Sequence, residues 1–313
     1  MMTTPLVLTD ADVHQLADMA TAIAVVEGAF RAAGTDSFVA PARLRVPFGR
    51  MTDLIFAVGG STTPNGVVGF RAYYSRATKH YEDQVVAVWD LATGSLKGVI
   101  LGKALGILRM GAIGGVAIRA LARPEAAIVA VIGAGHQAAS HLQAAAIVRN
   151  LREVRIYSRH EESCRSFAQR MSQELGIPVL PQASARDAVE GADIVLLATT
   201  SLQPVVRAEW LSPGVFVHTV GFKSPAGKEM GLDVAERAEF LATDSMAQIE
   251  SAGDTFILHG TAELGSVADL ADIVSGRAAG PTDPRAIRVC YPMGLAGSDV
   301  VVADDLLRRF AGG

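Results

Sequence analysis

Cysteine is almost missing from this chain. Its 313 residues hold two, Cys164 and Cys290, and neither has a second cysteine nearby. That removes the spacing a thiol metal site or a redox pair would need. Histidine spacing is no more suggestive: His14, His80, His160, His218 and His259 are scattered, while His136 and His141 are five apart and do not share a helical face. No metal is expected. Gly60-Ser61 is not the glycine-flanked serine of a nucleophile elbow. Charge is weak as well, with a formal net of -4, which argues against nucleic acid or an anionic membrane as the main partner. The N-terminus carries Asp10, Asp12 and Asp18 rather than a basic stretch followed by an apolar one. No apolar run reads as long enough to span a bilayer. A soluble cytoplasmic protein is the expectation. Half the residues are hydrophobic, and the length allows two domains with ample core.

What the chain does contain is a strand that runs straight into a glycine turn. Val129-Ala130-Val131-Ile132 is apolar, Gly133-Ala134-Gly135-His136-Gln137-Ala138 follows, and Ala139 to Ala146 reads as a helix. A helix N-terminus offers unpaired backbone N–H groups and a partial positive charge, a ready site for a pyrophosphate. Gly133 permits the tight turn, Gly135 lets the backbone approach the phosphates, and Ala138 keeps helix and strand close. Glycine turns alone are common; the strand before and the helix after supply the context a dinucleotide site requires.

Beyond Gly135 the chain alternates as a doubly wound sheet should. Val154–Tyr157, Pro178–Leu180, Ile194–Ala198, Val215–Val220 and Phe240–Thr243 read as strands, and Glu161–Leu175 as a helix stopped by Gly176. Ser184 and Asp187 form a capping box for a short helix. The first third differs. A helix capped by Thr9 or Asp10 and a second over Met19–Ala33 precede short strands at Ile55–Val58, Val67–Tyr74 and Gln84–Trp89, with a hairpin turn at Asp90–Gly94. A small-residue helix over about Lys103–Ala122 leads into the sheet domain, and a last helix over Leu295–Phe310 is expected to return to the first domain. The fold class is therefore α/β: a Rossmann-type doubly wound sheet over residues 124–288, and an α+β domain built from both termini, 1–123 and 289–313.

Several separated motifs together resemble the ornithine cyclodeaminase and mu-crystallin family. They are Pro41-Ala42-Arg43, Gly69-Phe70-Arg71, Leu108-Arg109-Met110-Gly111-Ala112, the Gly133–Ala138 turn, Gly221-Phe222-Lys223-Ser224-Pro225 through Lys228-Glu229-Met230, and Tyr291-Pro292-Met293-Gly294-Leu295-Ala296. The resemblance runs nearly end to end in one order. It implies an NAD(P)-binding Rossmann domain with a substrate-binding and dimerisation domain, a homodimer, and a small substrate whose carboxylate adjoins an amine or imine carbon.

Arg43, Arg71 and Arg109 are then the carboxylate-binding candidates, because a planar guanidinium holds a carboxylate through two parallel N–H bonds. Arg109 lies among Leu105, Ile107, Leu108 and Met110, where an unpaired charge would be costly. The family usually carries lysine at position 71. Arginine cannot pass a proton at ordinary pH, so Arg71 should bind and polarise. Lys223 stands where cyclodeaminases of the family carry aspartate, which removes the acid that activity needs. It either faces the substrate, attracting a second acidic group, or points to water. Past the second strand the chain reads Tyr157-Ser158-Arg159-His160 with no acid until Glu161. Ser158 and Arg159 suit a 2′-phosphate, favouring NADP(H) with NAD(H) as the alternative. Thr199, Thr200 and Ser201 at a strand's carboxyl edge, Gly221, and Gly294 by resemblance complete the cofactor candidates.

The function these residues point to is an NAD(P)H-dependent imine (ketimine) reductase or amino-acid dehydrogenase acting by hydride transfer beside the carboxylate. The alternatives are a cyclodeaminase-type lyase that recycles its NAD and a non-catalytic, mu-crystallin-like NADP-binding protein.

Overall fold

The computed structural model describes residues 4–49, 52–76 and 83–312. Its first third builds a seven-stranded sheet from β1 (Leu6–Leu8), β2 (Phe38–Val39), β3 (Leu44–Pro47), β4 (Thr52–Ser61), β5 (Val67–Arg76), β6 (Gln84–Asp90) and β7 (Leu96–Leu101). The antiparallel meander β4–β7 is its body, and β1 adds in parallel beside β7. Helices α1 (Asp10–Leu16) and α2 (Met19–Ala33) come first, α2 starting where the Asp18 carboxylate accepts from the Ala20 and Thr21 amides. Helix α3 (Ala104–Leu121) leads out of the sheet. By length and composition α3 could cross a membrane, contrary to the sequence reading, yet 78% of it is buried inside the protein. Its glycines explain the burial. Gly111 and Gly114 lie against Ser140 and His141 of α4 (His136–Val148) more closely than any Cβ would allow.

The second sheet contains β8 (Ile128–Ile132), β9 (Glu153–Tyr157), β10 (Val179–Pro181), β11 (Ile194–Leu197) and β12 (Phe216–Thr219). A small hairpin, β13 (Lys223–Ser224) and β14 (Gly227–Lys228), sits outside it, and β15 (Phe240–Thr243), β16 (Val267–Asp269) and β17 (Arg288–Tyr291) complete it. The order is β10-β9-β8-β11-β12-β17-β15-β16, with every pairing parallel. Helices α4, α5 (Glu161–Leu175), α6 (Ala185–Val189), α7 (Leu232–Arg237), α8 (Met246–Ala252) and α9 (Leu270–Ser275) lie between the strands in sequence. Winding reverses between β8 and β11, and a crevice opens at the carboxyl ends of such neighbours. The doubly wound α/β fold is as the sequence indicates. The boundary at residue 288 needs correction: Arg288 opens β17, which runs between β12 and β15 inside the sheet. A four-residue strand stopped by Pro292 leaves too little alternation to be recognised.

The last helix, α10 (Ser298–Gly312), returns to the first sheet as expected, and Gly69 and Gly98 leave room there for Val300 and Leu307. It starts after Gly294 and Gly297, whose φ angles of 89° and 79° forbid a helix from Leu295. Among the described residues, no helix lies against the opposite face of this sheet. Leu44, Val58, Tyr74 and Leu101 are exposed there, around the rings of Phe56, Phe70 and Trp89, which meet edge-to-face and tilted.

Candidate functional site

A cavity of about 610 Å³ lies at the carboxyl ends of β8, β11 and β12, facing the first sheet. Gly135, His136 and Gln137 line one end, Ala198, Thr199, Thr200, Val220 and Gly221 one wall, and Arg71, Gln84 and Arg109 the far end. The glycine turn is built as the chemistry needs. Gly133 has φ 109°, and a Cβ there would lie 2.3 Å from the Ala198 carbonyl oxygen. Gly135 caps α4 without a side-chain hydrogen bond, and a Cβ on it would meet nothing within 4 Å. The first α4 amides therefore face an open cradle, and the Gln137 Oε1 is buried with no protein partner beside it. This donor set fits a dinucleotide pyrophosphate.

At the far end the arginines converge on one carboxylate. Arg109 Nε lies 3.0 Å and Arg71 Nη1 3.6 Å from Asp299 Oδ1, and all three residues are buried. Arg71 also donates from Nε to Gln84 Oε1 at 2.9 Å and rests over the Tyr73 ring. Burial pulls the Arg71 guanidinium below its usual value, with Asp299 acting against that shift and Arg109 adding to it. Gly106 makes the space: a Cβ there would sit 3.1 Å from both Arg71 Nη2 and Gln84 Oε1. Arg43 comes to the same corner from outside the cavity lining, donating from Nη2 to the Met293 and Gly294 carbonyls at 2.7 and 3.1 Å. Gly294 lies between Arg43 and Arg109, where any side chain would strike both guanidiniums. The buried Asp244 carboxylate accepts from the Met293 and Gly294 amides and holds this segment.

Behind the wall lies a polar cluster that the sequence reading did not assemble. The fully buried Glu229 accepts from the Thr199 amide and hydroxyl, the Thr219 hydroxyl and the Gly221 amide, so one carboxylate ties the ends of β11 and β12 together. Lys223 faces neither the cavity nor water with its ammonium. The residue is half-buried, and Nζ turns inward to donate to the carbonyls of Val220 and Gly221 at 3.0 and 2.7 Å. His141 and His218 lie deeper, fully buried with ring centroids 5.3 Å apart, and His141 Nδ1 donates to the Gln137 carbonyl. Burial lowers the His141 pKa to about 4 and holds His218 well below its usual value, so both rings are neutral at pH 7. In the unfolded chain these histidines titrate near 6.5, so the unfolded state binds more protons below that pH. Stability is thus lost as pH falls from 6.5 to 4, by about 3 kcal/mol from His141 alone. Urea unfolding at pH 6.5 and 4.5 checks this, and a stability that stays flat across the interval contradicts it.

The remaining sequence candidates divide. Thr199, Thr200 and Gly221 line the cavity, whereas Gly133 and Ala134 support the turn from behind. Ser201 stays outside, its hydroxyl donating to the Gln203 carbonyl. Ser158 and Arg159 follow the end of β9, half-buried and exposed respectively, away from the cavity lining. Sequence reasoning missed Gln84, Asp299 and Glu229 as parts of the site. Glu229 stood within a quoted motif; Asp299 had a signal only as an acid in the first turn of α10.

The model of the ornithine cyclodeaminase/mu-crystallin family matches residues 3–311. The chain belongs to that family. It is 30% identical over 313 residues to the delta(1)-pyrroline-2-carboxylate reductase of Bacillus cereus, covering 97% of this chain and 96% of the relative. Mouse ketimine reductase mu-crystallin is 28% identical over 218 residues, 70% of this chain and 66% of that protein. Among solved structures, the Thermococcus litoralis delta(1)-pyrroline-2-carboxylate reductase in complex with NADH and L-proline is 26% identical, covers 98% of both chains and has a TM-score of 0.85. A probable ornithine cyclodeaminase from Bordetella pertussis is also 26% identical, covering 99% of this chain and 98% of its own, with a TM-score of 0.88.

Proposed function

We propose that this family member is an NAD(P)H-dependent oxidoreductase that reduces the C=N bond of a small imino acid at the carbon beside its carboxylate. One observation carries the reading: a single cavity joins the open N-terminus of α4 to the buried Arg71–Asp299–Arg109 cluster. The first holds a pyrophosphate, the second a carboxylate, and the distance between them is filled by the reacting centre. The cofactor, when bound, supplies the hydride. Arg109 and Arg71 hold the carboxylate, and Gln84 fixes the Arg71 fork. Hydride adds to the carbon of the iminium form, whose nitrogen has already taken its proton from water; Arg71 binds and polarises but does not supply that proton. Asp299 offsets one of the two guanidinium charges, and the single positive charge left over suits a substrate with one carboxylate. Because the Lys223 ammonium is turned inward, it makes no direct contact with a second acidic group on the substrate. The pyrroline-carboxylate and ketimine reductase relatives support the same bond type.

The test is a screen of cyclic imino acids, and of 2-oxo acids with ammonia or methylamine, against NADPH and NADH. Net loss of nicotinamide absorbance with a cyclic imino acid is the expected result. Conversion of ornithine to proline with no net absorbance change overturns the reading in favour of the lyase.

Cofactor choice and assembly belong to the same proposal. NADPH is the preferred donor, since Ser158 and Arg159 follow β9 where an NAD site carries an acid. NADPH should bind about tenfold tighter than NADH, roughly 1.4 kcal/mol, and Arg159→Ala should narrow the gap by weakening NADPH. Equal affinities in the unaltered protein defeat that preference. The bare apolar face around Phe56, Phe70 and Trp89 is covered by a second copy of this chain, forming a homodimer. Light scattering at micromolar concentration should give twice the chain mass, and Val58→Glu, which places a charge on that face, should return monomer.

A further inference from the structure

We propose that Lys223 sets the redox preference of the cofactor site: its inward-turned ammonium, enclosed behind the Val220–Gly221 wall, disfavours the cationic oxidised nicotinamide relative to the neutral reduced one. The inference rests on the reductase reading above and concerns the exchange of its spent cofactor for a fresh one. A hydride-donating ring must lie between the pyrophosphate at α4 and the carboxylate at Arg71 and Arg109. Val220 and Gly221 line that stretch of the cavity. The Lys223 ammonium lies directly behind them, 3.0 Å from one carbonyl oxygen and 2.7 Å from the other. It is also held in place. Lys223 pairs with Lys228 across the β13–β14 hairpin, and its own carbonyl accepts from the Ile257 amide at 2.9 Å.

A charge so placed acts differently on the two cofactor forms. The reduced ring is neutral; after it gives up hydride it carries a positive charge. A fixed cation behind an enclosed wall raises the free energy of the oxidised complex and leaves the reduced one nearly untouched. Release of the spent cofactor is favoured, at the cost of a smaller driving force for hydride donation within the site. Glu229 and Asp244 face Lys223 with opposite charge, Arg43 with like charge, and Cys290, His141 and His218 complete the surroundings. Burial lowers the Lys223 ammonium to about 8, so it is largely charged at pH 7 and loses its proton between pH 7 and 9. The Cys290 thiol is pushed well above its usual value, and both histidines are neutral throughout that interval.

Equilibrium titration tests this without turnover. Fluorescence of bound NADPH gives its Kd, and displacement by NADP+ gives the other. At pH 7 the unaltered protein should bind NADPH about tenfold tighter than NADP+. Lys223→Met should shrink that ratio about fivefold, mainly by tightening NADP+, whereas Lys223→Arg should preserve it. In the unaltered protein the ratio should also narrow from pH 7 to pH 9, as the ammonium loses its charge. If Lys223→Met does not fold, the pH series alone decides. A ratio unchanged in Lys223→Met, or flat from pH 7 to 9, overturns the inference and leaves the reductase reading standing. Failure of the unaltered protein to bind either form overturns the reductase reading itself.

Discussion

Arg109→Lys should cost about three orders of magnitude in kcat/KM for the imino acid, roughly 4 kcal/mol, while the protein stays folded and still binds NADPH. The variant keeps a positive charge for Asp299, which is 2% exposed and would otherwise be left as a buried unpaired carboxylate. What it removes is the planar fork. Arg109 spends Nε on Asp299, and its remaining N–H donors stand at the cavity end beside Arg71. A lysine keeping the Asp299 contact is a point charge with no second parallel donor, so the carboxylate loses its fixed angle and the reacting carbon its alignment with the hydride. Steady-state kinetics, a melting curve and NADPH titration separate the effects. A loss below tenfold would mean that Arg109 serves the fold rather than the substrate.

The parts of this site that were legible in the sequence are the local ones. Gly133, Gly135 and Ala138 act within a single turn, so their spacing carries their purpose. The β8 and β11 strands announce themselves as apolar runs because they are buried on both faces. Arg109 is conspicuous because a charge amid Leu105, Leu108 and Ala112 needs a partner, but the partner, Asp299, arrives from the far end of the chain on α10. Nothing in either neighbourhood pairs them. Gln84 is similar: the register of β5 against β6 and the gap at Gly106 bring it to Arg71, and neither is visible before the sheet forms. Lys223 shows the limit most clearly. Its sequence context is a loop with a charged residue, for which solvent or substrate are the natural destinations. The hairpin and two inward-facing carbonyls send it to a third.

Glu229→Ala should have the largest effect on stability of any single change near the cavity, a loss of about 3 to 5 kcal/mol. The carboxylate is 0% exposed and accepts from Thr199 N at 2.8 Å, Thr199 Oγ1 at 2.9 Å and Thr219 Oγ1 at 2.9 Å, and from the Gly221 amide. Those donors sit on two separate segments, after β11 and at the end of β12. Removing the acceptor strands the buried Thr219 hydroxyl and leaves the half-buried Thr199 and Gly221 donors poorly satisfied, which costs about 1 to 3 kcal/mol for each group left without a partner. The same segments supply Thr199, Thr200 and Gly221 to the cavity wall, so cofactor affinity should fall with stability, by about tenfold or more. Glu229→Gln keeps the shape and one acceptor but turns an NH2 group toward N–H and O–H donors. It should fall between the unaltered protein and Glu229→Ala in both measurements. Denaturant unfolding and NADPH titration on the three proteins check the order. An alanine variant within about 1 kcal/mol of the unaltered protein would show that these strand ends are held by packing and not by the carboxylate.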